Sequence, residues 1–215
     1  MIFGFGSAST STPGLTVSPD QIPDPLLDIE AADDRGEVIL AGGCFWCVDG
    51  VYRLLDGVTA VQSGYCGGAA DTANYRAVCS GRTGHAEAVR INYDPARISF
   101  GQILRLFFAV SHDPTQLNRQ GNDVGTQYRS AIFPLDDFQR RVAEGYISQL
   151  DAAGAFAAPI VTTIEPIEAY YPAEDYHQDY AALNPMQPYV ACTVLPKIQK
   201  LRQYFPNRLR RAAGA

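Results

Sequence analysis

The feature that most limits this chain is a change of hydrophobic period over residues 38–55. Val38, Ile39, Leu40 and Ala41 form a short apolar run, Gly42 and Gly43 follow, and Cys44, Val48, Val51 and Leu55 then recur at helical spacing. The segment therefore reads as strand, tight turn, helix. Gly57 supplies a helix stop, and residues 58–65 read as a second strand. Residues 67–84, rich in Gly and small polar side chains, make a long loop, and such length inside a compact domain usually marks a site.

Residues 85–93 alternate, with His85, Glu87, Val89, Ile91 and Tyr93 on one face of a strand. Glu87 thus shares an apolar face, a local departure from pattern expected at functional sites; an exposed strand end is the alternative. Ser99 and Gln102 form a capping box ahead of the stripe Phe100, Ile103, Leu104, Phe107 and Phe108, which is core. Pro114, Gly121 and Gly125 break residues 111–125 into a second long loop. Further strands are expected over 128–133 and 160–165, and helices over 136–150, over 175–183 and from Pro196 onward. The segment around Cys192 reads as an ordered strand leading into that last helix. Interleaving of this kind predicts an α+β domain, a layered sandwich of a mixed β-sheet with flanking helices: a ferredoxin-like core with long functional loops.

Residues 1–35 mix Ser, Thr, Pro and Asp without either structural period, so they read as an extended N-terminal arm with scope for local disorder. Residues 36–210 are expected to form a single catalytic domain. With 215 residues, 47% of them hydrophobic, the chain can bury one sizeable core. A net charge of -6 is the wrong sign for neutralising phosphates, which argues against nucleic acid. No apolar run approaches the roughly 20 residues that span a bilayer, and the N-terminus lacks the basic and apolar regions of a secretory signal. The expectation is a cytoplasmic protein without a membrane partner. Five cysteines, an odd number, suit a reduced compartment better than a disulfide scaffold.

Gly42-Gly43-Cys44-Phe45-Trp46-Cys47 is the sharpest local feature. A cysteine at the first turn of a helix sits over unpaired N–H groups and the positive end of the dipole, which predicts a lowered thiol pKa at Cys44. Cys47, three residues on, lies on the same side of the helix. Zinc would want a second ligand pair at metal spacing, whereas Cys66 and Cys79 are twelve residues apart and the three His are scattered. A thioredoxin-like oxidoreductase normally has little aromatic bulk between its thiols. The remaining readings are a small buried hydrophobe and a nucleophilic thiol whose neighbours Phe45 and Trp46 line an apolar pocket for a methyl-bearing substrate.

Gly43-Cys44-Phe45-Trp46 resembles the signature of the A-type peptide methionine sulfoxide reductases. Three further blocks resemble that family in order: residues 75–87 (YRAVCSGRTGHAE); 112–116 (HDPTQ) with 119–130 (RQGNDVGTQYRS); and 173–180 (AEDYHQDY). The resemblance runs from Gly43 to Tyr180. It implies reduction of methionine S-sulfoxide, free or in oxidised proteins, as a repair activity under oxidative stress. In that scheme Cys44 attacks the sulfoxide sulfur, Glu87 is the acid that protonates its oxygen, Tyr75 and Tyr128 are phenol donors to the same oxygen, and Asp123 is a polar partner. Desolvation among Val89, Ile91 and aromatic rings should raise the carboxyl of Glu87 and keep it protonated. Phe45 and Trp46 bind substrate.

Oxygen transfer leaves Cys44 as a sulfenic acid, which a second thiol converts to a disulfide that thioredoxin or another dithiol reduces. No bound cofactor and no metal is implied, and a monomer is expected. A common pattern in the family places resolving cysteines in a Gly-rich C-terminal tail; here residues 189–198 read instead as an ordered strand leading into a helix, and Cys192 is expected to be packed. Cys47 is favoured as resolver for proximity, ahead of Cys66 in its Gly-rich loop. The competing function is a non-catalytic zinc or thiol-binding module with an aromatic methionine-binding pocket.

Overall fold

The computed structural model describes residues 15–28 and 36–210. In chain order its strands are β1 (Gly36–Gly42), β2 (Val58–Cys66), β3 (Ala86–Tyr93), β4 (Arg119–Gln120), β5 (Asp123–Val124), β6 (Ser130–Phe133), β7 (Thr163–Ile164) and β8 (Tyr170–Pro172). The α-helices are α1 (Phe45–Tyr52), α2 (Tyr75–Val78), α3 (Phe100–Leu106), α4 (Asp137–Ala152), α5 (Tyr180–Leu183) and α6 (Leu195–Tyr204). Six strands form one sheet in the order β7-β6-β1-β3-β2-β8, while β4 and β5 pair as a separate hairpin. Only the β6–β7 contact is parallel, so the sheet is mixed.

The four central strands, β6-β1-β3-β2, are the ferredoxin-like arrangement, with α1 crossing from β1 to β2 and α3 from β3 to β6. The unbroken apolar run in β1 has a direct reason. Val38 and Leu40 join the large core under the helices, while Ile39 and Ala41 join a smaller one on the opposite face. A central strand buried on both sides loses the alternation of a half-exposed one. The helical layer lies on the first face, where Phe107, Phe108, Val142 and Tyr146 pack. Ala86, Ala88, Ala131 and Phe133 make the second, under Ile167 and Tyr170.

Four readings shift. The helix expected over 175–183 is a 3-10 turn, Asp175–His177, and a single α-helical turn, Tyr180–Leu183, parted at Asp179 with its left-handed φ of 56°. The strand expected over 160–165 shortens to Thr163–Ile164. The segment before the last helix is a π-helical turn, Val190–Val194, running directly into α6, and Cys192 on it is exposed rather than packed on a strand. Helical burial spacing wins there, with Val190 and Val194 turned to the core and Cys192 between them turned out. Part of the N-terminal segment is docked: Ile22 is fully buried, Arg105 Nε donates to its carbonyl at 2.7 Å, and the Tyr146 hydroxyl donates to that of Pro23 at 2.7 Å. Residues 1–14 and 29–35 lie outside the described chain.

Candidate active site

The turn between β1 and α1 is built from two glycines for separate reasons. Gly43 has φ +86°, the left-handed region, and a Cβ there would lie 2.5 Å from Cβ of Gln120. A Cβ at Gly42 would lie 2.8 Å from the Phe107 ring. The turn delivers Cys44 as the N-cap of α1, buried at the floor of a cavity of about 230 Å³.

Five segments distant in sequence line that cavity. Phe45 and Trp46 come from α1 and Glu87 from β3; Tyr75 opens α2, and Asp123 and Tyr128 come from the loop after α3. Gln187 and Tyr189 come from the turn before α6. Cys44, Phe45, Trp46, Tyr75, Glu87, Asp123 and Tyr128, the residues singled out in the sequence as catalytic or substrate-binding, are therefore brought together, whereas the resolving candidates Cys47 and Cys66 do not line the cavity. Tyr189 and Gln187 were not anticipated. The sequence carried no signal for Tyr189, because a tyrosine beside valines reads as core.

Glu87 is 2% exposed, and its Oε2 accepts the Phe45 N–H at 3.1 Å. Burial pushes its carboxyl up to about 8; the Phe45 N–H opposes this and the negative potential of Asp123 adds to it. The carboxyl is therefore largely protonated at neutral pH. Asp123 accepts the Tyr189 hydroxyl at 2.5 Å, and that tyrosine also hydrogen-bonds Cys44. Trp46 stacks on Tyr180 at 3.9 Å and 9°, which fixes its ring at the cavity wall. Tyr75 has the Cys79 thiol as its hydrogen-bond partner at the exposed edge.

The thiol at Cys44 departs from expectation. Burial raises it well above the ordinary value, Cys47 and the charge of Glu87 add to the rise, and the helix N-terminus does not reverse it. Cys47 moves the opposite way, to about 7, because the hydrogen bond from Cys44 lowers it most, against burial and with help from Lys197. The two thiols act as one unit holding a shared proton. Lowered thiol pKa, expected at Cys44, is thus a property of the pair.

Cys66 is not in a flexible loop. It ends β2 and is fully buried, its Sγ donating to the Ala169 carbonyl at 3.3 Å. The β2–β3 register pairs Tyr65 with Glu87 and Cys66 with Ala86, so Cys66 points to the smaller core on the far face of the sheet. It has no path to Cys44 through the sheet. Among the described residues no three His, Cys, Asp or Glu side chains gather as a metal site.

The family model for peptide methionine sulfoxide reductase matches residues 36–209. A peptide methionine sulfoxide reductase MsrA 2 of Mesorhizobium japonicum is 53% identical over 180 residues, covering 84% of this chain and 92% of the relative. The MsrA of Deinococcus radiodurans is 55% identical over 174 residues, covering 81% and 84%. Among solved structures, reduced Mxr1 from Saccharomyces cerevisiae superposes with TM-score 0.66 at 34% identity, covering 75% of this chain and 92% of that one. Methionine sulfoxide reductase A of Corynebacterium diphtheriae superposes with TM-score 0.63 at 32% identity, covering 84% and 92%. Likeness of this depth spans the whole sheet and every segment that lines the cavity, so the chain belongs to the peptide methionine sulfoxide reductase family.

Proposed function

We propose that this protein reduces methionine sulfoxide, free or within oxidised proteins, to methionine, with Cys44 as nucleophile and Glu87 as acid. The observation that carries this reading is a buried carboxyl, pushed up by desolvation, lining the same cavity as Cys44, whose thiol is hydrogen-bonded to Cys47 behind it. Sulfoxide sulfur becomes electrophilic once its oxygen is protonated, and a thiolate must reach it from the other side. Glu87 gives its proton to the oxygen, with Tyr75 and Tyr128 as further donors and Asp123 holding Tyr189 beside the sulfur nucleophile. Cys44 thiolate attacks sulfur, the oxygen ends on Cys44 as sulfenic acid, methionine leaves, and Glu87 is left as carboxylate. Phe45 and Trp46 hold the methyl group. Donors on one wall and a methyl pocket on another discriminate between the two hands at sulfur, and membership of the family points to the S epimer as the one taken.

Cys47 then attacks the Cys44 sulfenic acid; a disulfide forms and water departs. Its hydrogen bond to Cys44 and its pKa near 7 support it as resolver ahead of Cys66. The disulfide is reduced by thioredoxin or a similar dithiol in a reducing compartment, the cytoplasm. No helix among the described residues is long and apolar enough to cross a membrane. Family membership favours catalysis over a zinc or thiol-binding module.

The test is one turnover without reductant. We expect one methionine per enzyme from the S-sulfoxide, none from the R epimer, and a Cys44–Cys47 disulfide in the peptide map. Absence of methionine release overturns the reading, and a different disulfide overturns the assignment of Cys47.

A further inference from the structure

The motif over residues 173–180 contributes no side chain to the cavity lining, yet it touches several that do. Tyr75 begins a helix of only four residues, and its N–H is among those a helix start leaves without an internal partner. Asn74 caps the turn by accepting the Ala77 N–H at 3.0 Å. The Tyr75 N–H is instead taken by Glu174 Oε1 at 2.9 Å, and Glu174 Oε2 accepts the Tyr65 hydroxyl at 2.9 Å. Tyr65 lies opposite Glu87 in the β2–β3 register.

We propose that Glu174 is a positioning residue for sulfoxide reduction: its carboxylate ties Tyr75 to the strand pair that carries Glu87, so that two donors to one oxygen share a rigid frame. This rests on the reading of Tyr75 as a donor to the sulfoxide oxygen. A single helical turn does not hold itself in water, so its placement must come from outside. Two hydrogen bonds to one ionised carboxylate are charge-assisted and directional. The hydrogen bonds outweigh the partial burial that would raise Glu174, and hold its carboxyl below the usual value.

The rest of the motif reinforces the frame. Gln178 Oε1 accepts the Ser63 N–H at 2.9 Å while its Nε2 donates to the Ser63 carbonyl at 3.0 Å, fastening the segment to β2. His177 is buried, its ring 4.4 Å from that of Tyr75 and 5.1 Å from that of Phe45. It fills the space behind both substrate-facing rings. Tyr180 backs Trp46.

The experiment is a double-mutant cycle read by single-turnover methionine release from an S-sulfoxide peptide. Glu174→Gln keeps the size but cannot accept both bonds, and we expect it to slow release about 10-fold or more, with substrate affinity changed less than about twofold. In the Tyr75→Phe background the same substitution should change the rate less than about twofold. Equal losses in both backgrounds, or no loss from Glu174→Gln alone, overturn the proposal. If Tyr75→Phe by itself is silent, the donor reading of Tyr75 fails, and any effect of Glu174→Gln then runs by another route, which also overturns it. Should Glu174→Gln fail to fold, Tyr65→Phe removes only the anchor: we expect a loss of about two- to fivefold that again vanishes in Tyr75→Phe, and its persistence there sinks the idea.

Discussion

Two buried cysteine sites lie on opposite faces of one strand pair, and their difference locates the chemistry. On the helical face, Cys44 and Cys47 share a proton beside Glu87, with Lys197 and Tyr189 acting on the pair. On the other face, Cys66 sits among Ala86, Ala88, Ala131 and Phe133, its Sγ bonded to a carbonyl and its thiol pushed up to about 11 by burial. Both sites are dry. Burial raises an isolated thiol and leaves it inert; burial of two thiols and a carboxyl together leaves protons to be distributed, and reactivity follows from that distribution.

Removing the nucleophile breaks the comparison most completely. Cys44→Ser should abolish methionine release while leaving the fold intact, since a hydroxyl of similar size is a far weaker nucleophile. Measurable single-turnover release from that variant would remove Cys44 from the mechanism. Glu87→Gln should slow the same step about 10²- to 10⁴-fold, the range for a lost general acid, with thiol recycling less affected. An unchanged rate would take the acid role from Glu87.

Next in size is the loss of the partner thiol. Cys47→Ser should release one methionine and then stall, reducing thioredoxin-dependent turnover about tenfold or more as sulfenic acid accumulates. Mass spectrometry after dimedone labelling reads that species. If Cys192→Ser stalls instead, the turn at Val190–Val194 must open, because its exposed thiol does not line the cavity.

The pH dependence sharpens the comparison further. Since Glu87 is pushed up to about 8 and works protonated, the single-turnover rate should fall as pH rises through about 8, up to tenfold per pH unit above it. Glu87→Gln should lack this limb. The same shift has a stability consequence of definite sign. A carboxyl whose folded pKa lies above its unfolded value of 4.5 binds more protons when folded, so its contribution to stability falls as pH rises from about 4.5 to about 8. Glu87→Gln should therefore flatten the decline in Tm over that window.

The smallest effect belongs to the far face. Cys66→Ala should leave single-turnover and thioredoxin-dependent rates within about twofold, with roughly 1 kcal/mol lost in denaturant unfolding. A stalled enzyme would mean that the two faces communicate.

Period and spacing by themselves determined much of this protein. The apolar run in β1, the glycine turn, the alternation of residues 85–93 and the capping box at Ser99 all describe contacts within a few residues, so they are legible locally. Glu87 stood out for the same reason, as a carboxylate on an apolar parity. Tertiary structure alone decided what those residues meet. Cys66 looked mobile beside two glycines until strand register turned it to the far core, and Cys192 looked packed until helical spacing turned it out. Tyr189 and Glu174 became part of the site only through partners 66 and 99 residues away, Asp123 and Tyr75. The pKa at Cys44 failed for a related cause: helix position is local, whereas desolvation depends on every segment that closes over the thiol, and here it wins.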